Sequence, residues 1–156
     1  MKNILIVCAD KDLRKDLSKS LASKLKCLYL DIDELVDIEI LNRQDVKLSE
    51  AQDFMHEIEF KSINRAMAFE NCITTISHSM YVGNDNFKLF NNVYKIYVKL
   101  SKSYFIAKSS QVDKLEQELC LFEQIDKLIT NNSDIVVEKE AKSISQLCVE
   151  IISNIK

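Results

Sequence analysis

Glycine and proline are almost absent from this chain. Its 156 residues include one glycine, Gly83, and no proline, whereas average usage of about 7% and 5% would give roughly 11 and 8. Loops that wrap backbone N–H groups around a phosphate depend on glycine, because its backbone turns tightly and approaches the ligand closely. The composition therefore excludes any function that requires a glycine-rich phosphate-binding loop of the standard form.

Clustered positive charge and long apolar runs are missing as well. The net charge is -3, and the basic residues are scattered along the chain, which argues against a nucleic-acid partner. No apolar run approaches the roughly 18 residues of a membrane span, and residues 1–3 lead directly into a strand pattern instead of a signal peptide. We therefore expect a cytoplasmic protein with no nucleic-acid partner and no membrane partner.

The five cysteines are odd in number, lie in apolar stretches and include no closely spaced pair. A domain of this length buries about 70% of the surface that its unfolded chain exposes, so one core needs neither disulfides nor a zinc site. We predict a single domain whose cysteines are buried, reduced thiols. They are Cys8, Cys27, Cys72, Cys120 and Cys148.

Short apolar runs alternate with longer amphipathic segments along the whole chain. Strands are predicted at Asn3–Val7, Cys27–Leu30, Cys72–Ile76, Tyr94–Leu100 and Ile135–Val137. Helices are predicted near Leu13–Leu25, Asp33–Ile40, Ser49–Ala68, Asp85–Phe90 and Val112–Ile129, and from Ser143, where Gln146 completes a capping box. This alternation indicates an α/β fold in three layers, with a five-stranded parallel sheet covered by helices on both faces. Ligands of such folds bind beyond the carboxyl ends of the strands.

Several short motifs occur in an order and spacing that resemble those of the shikimate kinases. The first predicted helix ends in a similar Leu21-Ala22 motif, and Asp31-Ile32-Asp33-Glu34 is similar to the family's DxDE motif. The sequence SDIVV at 133–137 resembles the ADIVV strand before the family's last helix. The resemblance covers almost the whole chain and implies a P-loop kinase-like fold with strand order 2-3-1-4-5. It also implies one domain over residues 1–156, with a shortened lid-equivalent segment at 101–118.

The segment Cys8–Lys15 stands where that family has its phosphate-binding loop, GxxxxGK[ST], and it lacks both glycines. Leu13 puts a branched side chain where the backbone must approach the β-phosphate. Arg14 stands in place of the lysine, and Lys15 stands in place of the Mg²⁺-binding hydroxyl. Two acidic residues add charge that repels a triphosphate. We interpret the segment as a helix start capped by Asp10, whose acidic residues favour the helix dipole. The degraded phosphate loop consists of Cys8, Asp10, Asp12, Leu13, Arg14 and Lys15.

The positions that the resemblance assigns to substrate binding have changed too. Asp33, the second acidic residue of DxD and the one catalytic candidate, is retained. His56 replaces a carboxylate-binding arginine, Ser77-His78-Ser79 replaces a GGG turn, and Glu118 replaces a second arginine. Charge-assisted hydrogen bonds to a carboxylate substrate are lost with the arginines. The predicted ligand pocket comprises Asp31, Asp33, His56, Ser77, His78, Ser79 and Glu118.

Both histidines of the chain, His56 and His78, fall in this predicted pocket together with Asp33. Two imidazoles and a carboxylate can bind Zn²⁺, Ni²⁺ or Fe²⁺, which makes these three residues metal-ligand candidates. The alternative that we favour is a set of hydrogen bonds or ion pairs between the histidines and Asp33 or Glu59. We therefore expect no metal.

Two hypotheses of function follow. The first is a shikimate-kinase-like domain without ATP binding or phosphoryl transfer, which acts as a ligand-binding, regulatory or interaction module for an unknown small molecule or protein. No cofactor is expected on this hypothesis. The second is an unconventional small-molecule kinase that uses ATP and Mg²⁺ and holds the phosphates with Arg14 and Lys15. A response-regulator receiver domain is a weaker alternative, because no phosphate-accepting aspartate is found at the third predicted strand.

Overall fold

The computed structural model describes residues 2–42, 51–108 and 115–155, and within them it leaves out the side chains of 51–53, 105, 108 and 115–118. The strands are β1 (Ile4–Cys8), β2 (Leu28–Asp31), β3 (Cys72–Ser77), β4 (Tyr94–Lys99) and β5 (Ile135–Glu138). The helices are α1 (Lys11–Leu25), α2 (Ile32–Asn42), α3 (Ala51–Met67), α4 (His78–Val82), α5 (Lys102–Lys108), α6 (Leu115–Asn131) and α7 (Ile144–Ile155). A 3₁₀ segment, Gly83–Leu89, follows α4.

The five strands form one sheet in the order β2-β3-β1-β4-β5, and every neighbouring pair is parallel. Parallel neighbours need long crossovers, which the helices supply. The predicted α/β fold, the parallel sheet and the strand order are therefore confirmed. No helix in the described part of the chain combines the length and the apolar character needed to cross a bilayer.

The central strand β1 separates two halves of the core. Its alternate side chains point to opposite faces: Ile4 and Ile6 join a cluster that α1 and α7 complete, whereas Leu5 and Val7 join a cluster on the other face with α2 and α3. All five residues of β1 are buried, as expected for a strand that is covered on both faces.

Both predicted helix caps are present. The Asp10 carboxylate accepts from the backbone N–H groups of Asp12 and Leu13 at the start of α1. Ser143 and Gln146 form the reciprocal capping box, with hydrogen bonds of 2.8 and 3.2 Å. Because glycine is so scarce, other residues take the left-handed backbone conformation that glycine usually supplies. They are Lys26, Asn71, Asn84, Asp85, Asn92 and Glu140.

Three details differ from the sequence prediction. The short helices α4 and α5 were not predicted, because five and seven residues are too few for a helical period to show. The helix predicted at Asp85–Phe90 is part of the 3₁₀ segment. All five cysteines are free, but Cys27 is half-buried and Cys120 is exposed. The predicted starts of two helices, residues 49–50 and 112–114, lie outside the described residues.

Candidate functional site

The carboxyl ends of β1, β2 and β3 lie side by side at one edge of the sheet. Cys8 pairs in register with Ser77, and Asp31 pairs with Thr75. Asp33 follows β2 closely enough to reach the end of β3. The backbone N–H and the hydroxyl of Ser77 donate to its two carboxylate oxygens at 2.8 and 2.7 Å. The structure therefore brings together Asp33 and Ser77, two residues of the predicted ligand pocket.

Arg14 lies inside the fold, with 2% of its surface exposed. Its Nη1 donates to the carbonyl oxygen of Cys8 at 2.8 Å, and its Nη2 is 3.7 Å from a carboxylate oxygen of Asp33. A buried guanidinium needs such acceptors to offset the loss of water. Arg14 thus joins the end of β1 to the start of α2, and its charge is matched by Asp33.

Asp10, in the loop between β1 and α1, caps the start of α1 and also contacts α5. Its Oδ1 accepts from the backbone N–H groups of Asp12 at 3.1 Å and Leu13 at 3.2 Å. Its Oδ2 accepts from the hydroxyl of Tyr104, on α5, at 2.5 Å. The Leu13 side chain packs in the core with 7% exposure. The amide groups that open α1 therefore point at a carboxylate of the protein itself.

Lys15, the other cation of the predicted phosphate loop, pairs with Glu34 in the first turn of α2. The hydrogen bond raises the pKa of Lys15 and lowers the pKa of Glu34. Both side chains are partly exposed, so this ion pair is screened by water. Arg14 and Lys15 are thus each matched by a carboxylate of the β2–α2 segment.

Asp31 is 3% exposed and caps α2. Its Oδ1 accepts from the backbone N–H groups of Asp33 at 3.0 Å and Glu34 at 3.4 Å. Its Oδ2 is buried and has no hydrogen-bond partner among the described residues. Burial, and then the neighbouring Asp33 carboxylate, raise the pKa of Asp31. Asp31 therefore acts mainly as a capping residue, and part of its charge is poorly compensated.

His78 is the first residue of α4 and is half-buried. Its ring centroid lies 6.4 Å from that of Phe122 on α6. Burial lowers the pKa of His78, and the positive charge of Arg14 lowers it further. The imidazole is therefore neutral near pH 7. Ser79, the next residue of the predicted pocket, is exposed.

His56 differs from Asp33 and His78 in its burial. It is exposed on α3, whereas Ile58 and Ile63 of the same helix are fully buried. No group of three or more histidine, cysteine or acidic side chains in the described ranges is placed to hold a metal ion. The structure therefore does not assemble His56, His78 and Asp33 as metal ligands, because the packing of α3 leaves His56 at the surface.

The remaining predicted contacts are also different. Glu59 accepts from the side-chain amide of Asn86 at 3.1 Å, where the sequence suggested a histidine partner. Asn86 is 1% exposed and also donates to the carbonyl of Met80 at 2.9 Å. The side chain of Glu118 lies outside the description, as do residues 109–114. The shortened lid at 101–118 stays a prediction.

Two contacts at this edge were not found from the sequence. One is the hydrogen bond from Tyr104 to Asp10. The other joins the buried Tyr97 hydroxyl to Asp126 on α6 at 2.5 Å, with Lys99 at 3.3 Å from the same carboxylate. The partners lie 94 and 29 residues apart, and no local motif links them. Only the strand order and the position of α5 and α6 bring them together.

Comparison with solved structures identifies the fold of this chain. No family model and no curated protein matches the chain, but solved structures do. Shikimate kinase from Aquifex aeolicus superposes with a TM-score of 0.76 and 16% identity, over 98% of this chain and 95% of that one. The chain has a shikimate-kinase-like P-loop kinase fold.

Two further structures support this assignment of the fold. Shikimate kinase from Acinetobacter baumannii, solved in complex with shikimate, gives a TM-score of 0.77 at 16% identity, over 99% of this chain and 93% of that one. Dephospho-CoA kinase from Campylobacter jejuni gives 0.64 at 12% identity, over 98% and 96%. Such identities establish the fold, and the activity has to be argued from the residues of the site.

Proposed function

We propose that this chain is a shikimate-kinase-like domain that neither binds ATP nor transfers a phosphoryl group. It acts as a ligand-binding, regulatory or interaction module in the cytoplasm. The observation that carries the proposal is the position of Asp10. In P-loop proteins the amides at the start of the first helix hold the phosphates, whereas here the amides of Asp12 and Leu13 donate to the Asp10 carboxylate.

The residues of the loop do not fit ATP with Mg²⁺. A phosphate at the start of α1 would meet the carboxylate of Asp10 and the hydroxyl of Tyr104 that is bound to it. A negative charge favours a helix N-terminus, and here a protein carboxylate already supplies it. Lys15 also stands where a Mg²⁺-binding hydroxyl would be required, and an ammonium group has no lone pair with which to bind a cation.

On the substrate side, the charge of Asp33 is satisfied within the protein as well. Both carboxylate oxygens of Asp33 accept hydrogen bonds from Ser77, and one of them is near Arg14. His56, which stands where the family has a carboxylate-binding arginine, is exposed on α3. We therefore propose that the module uses other surfaces for its partner, whether a small molecule or a protein.

The alternative is an unconventional kinase in which Arg14 and Lys15 hold the phosphates. It would require Arg14 to leave the Cys8 carbonyl and Asp33, and Lys15 to leave Glu34. Covalent catalysis by Cys8 is also disfavoured, because burial raises the pKa of its thiol to about 12 and a thiol is a poor nucleophile when protonated. The geometry therefore favours the non-catalytic module.

Calorimetric titration of the intact protein tests the proposal. We expect no heat of binding with millimolar ATP and Mg²⁺, and no phosphorylation of shikimate in a coupled assay. A shikimate kinase titrated in the same buffer serves as the positive control. Micromolar affinity for ATP, or turnover that is lost in Asp33→Asn, would overturn the proposal in favour of the unconventional kinase.

A further inference from the structure

A pocket lies between α2 and α3, and the residues described at the edge of the sheet do not line it. It has a volume of about 380 Å³, and the described residues that line it are Glu39, Lys61, Ser62 and Arg65. Glu39 is six residues beyond Asp33 on α2, which corresponds to about 9 Å along a helix axis. The volume suits a small metabolite. Its lining contains two cations, one carboxylate and one hydroxyl.

Ser62 is the residue that distinguishes this pocket from an ordinary surface groove. It is 2% exposed, and its Oγ is buried without a hydrogen-bond partner in the part of the chain that the structure describes. Serine hydroxyls inside helices commonly bond to the carbonyl four residues earlier. A buried hydroxyl without a partner is unfavourable, so a ligand group that reaches this oxygen and accepts its hydrogen bond gains more than it would at an exposed serine.

The two cations keep donors free for such a ligand. Arg65 uses Nη1 for Glu39 at 2.9 Å, and Lys61 pairs with Glu57 at 3.0 Å. Arginine has five N–H donors and lysine has three. The contact with Glu39 therefore uses part of the donors of Arg65, and the contact with Glu57 uses part of those of Lys61. The charges of the four described lining residues sum to +1, since Glu39 offsets one of the two cations, and Glu57 lies outside this lining.

We propose that this pocket binds a small oxyanion, a carboxylate or phosphate group carried by a small molecule. Lys61 and Arg65 supply charge-assisted hydrogen bonds to the anion, and the Ser62 hydroxyl supplies a neutral one. Glu39 orients Arg65 and also repels the anion, so it limits the affinity. The site is independent of the proposed loss of kinase activity, because it shares no residue with the edge of the sheet.

The test is a titration followed by two-dimensional NMR at low ionic strength, where electrostatic contacts are least screened. Inorganic phosphate and sodium acetate are the two probes, and chloride at equal ionic strength is the reference. We expect saturable shifts of the amide signals of Glu39, Lys61, Ser62 and Arg65. The probe that binds more tightly identifies the class of anion. Shifts that do not saturate, or that chloride reproduces, would overturn the proposal.

Variants separate the site from a general effect of charge. We expect Lys61→Gln and Arg65→Gln each to weaken binding by about fivefold, the upper range for an exposed charge pair. Lys142→Gln is the matched control, since it removes one positive charge from an ion pair with Glu150 and should leave binding unchanged. Equal affinity in wild type and Arg65→Gln would contradict the assignment.

Two further substitutions test the roles of the other lining residues. Glu39→Gln should bind the anion more tightly, because a repelling charge and a competitor for Arg65 are both removed. Weaker binding would instead indicate that Glu39 holds a cationic group, and the oxyanion assignment would fall. Ser62→Ala should weaken binding without lowering the melting temperature. If it changed stability alone, the hydroxyl would be structural and would have no part in a binding site.

Discussion

Arg14 is the residue whose replacement best separates a structural role from a phosphate-binding one. The change to methionine keeps the apolar stem and removes the guanidinium. The buried carbonyl of Cys8 then loses a donor at 2.8 Å, which costs about 1 to 2 kcal/mol. Asp33 loses a cation at 3.7 Å but keeps Ser77 and is 23% exposed, so this part of the loss is about 1 kcal/mol.

One opposing contribution lowers the total. The Nε atom of Arg14 is buried without a partner among the described residues, so removing the guanidinium also removes a desolvation cost. We expect Arg14→Met to lower the free energy of unfolding by about 2 kcal/mol. For a chain of this size that corresponds to a fall of about 4 to 8 °C in the melting temperature.

Urea unfolding followed by circular dichroism measures this loss. Lys15→Met is the matched control, since it removes the neighbouring cation from a partly exposed ion pair with Glu34 and should change stability far less. A phosphate-binding arginine would be held in place for its ligand, and its removal would leave the free protein almost unaffected. If Arg14→Met destabilises the protein no more than Lys15→Met does, the structural role of Arg14 is refuted.

Two further predictions concern pH. The hydrogen bond to Asp10 raises the pKa of Tyr104 from 10.0 to about 12, so the stability that it contributes is complete below pH 10 and is lost as the pH rises toward 12. Tyrosinate absorbance, compared between wild type and Tyr104→Phe, should show this late titration, and Asp10→Asn should make it earlier. Asp31→Asn keeps the cap of α2 and removes a buried charge whose folded-state pKa is raised. It should be at least as stable as wild type at pH 7, and urea unfolding should show this advantage shrink toward pH 4, where the native carboxyl takes up its proton.

Most of the fold could be predicted because it depends on local patterns. The strands of the sheet are short apolar runs, and the period of four in Leu13, Leu17 and Leu21 places the buried face of α1. Capping by Asp10 and Ser143 depends on residues two or three positions away. Such interactions join residues that are close along the chain, which is why a single sequence is enough to find them.

The site was harder to predict, because resemblance transfers a position along the chain but not the direction of a side chain. His56 follows Met55, which packs on the core, and the helix period turns His56 to the surface. The alternative hypothesis required Arg14 to face a phosphate, whereas Arg14 turns inward to Asp33. That contact joins residues of two different elements, and only the three-dimensional packing decides it.

The edge of the sheet lacks a glycine-rich loop, and positive groups there also have carboxylate partners within the protein. Three of the positive features that follow β1 are the N-terminus of α1, the Arg14 guanidinium and the Lys15 ammonium. Each is matched by a carboxylate of this chain: Asp10 accepts from the N-terminus of α1, Asp33 pairs with Arg14, and Glu34 pairs with Lys15. A dissolved phosphate would compete with carboxylates that are tethered beside their partners, and tethering gives an effective concentration of millimolar or more. Restoring one glycine or one lysine therefore leaves at least two of these internal partners in place, and recovery of phosphate binding requires the carboxylates to be removed together with the rebuilding of the loop.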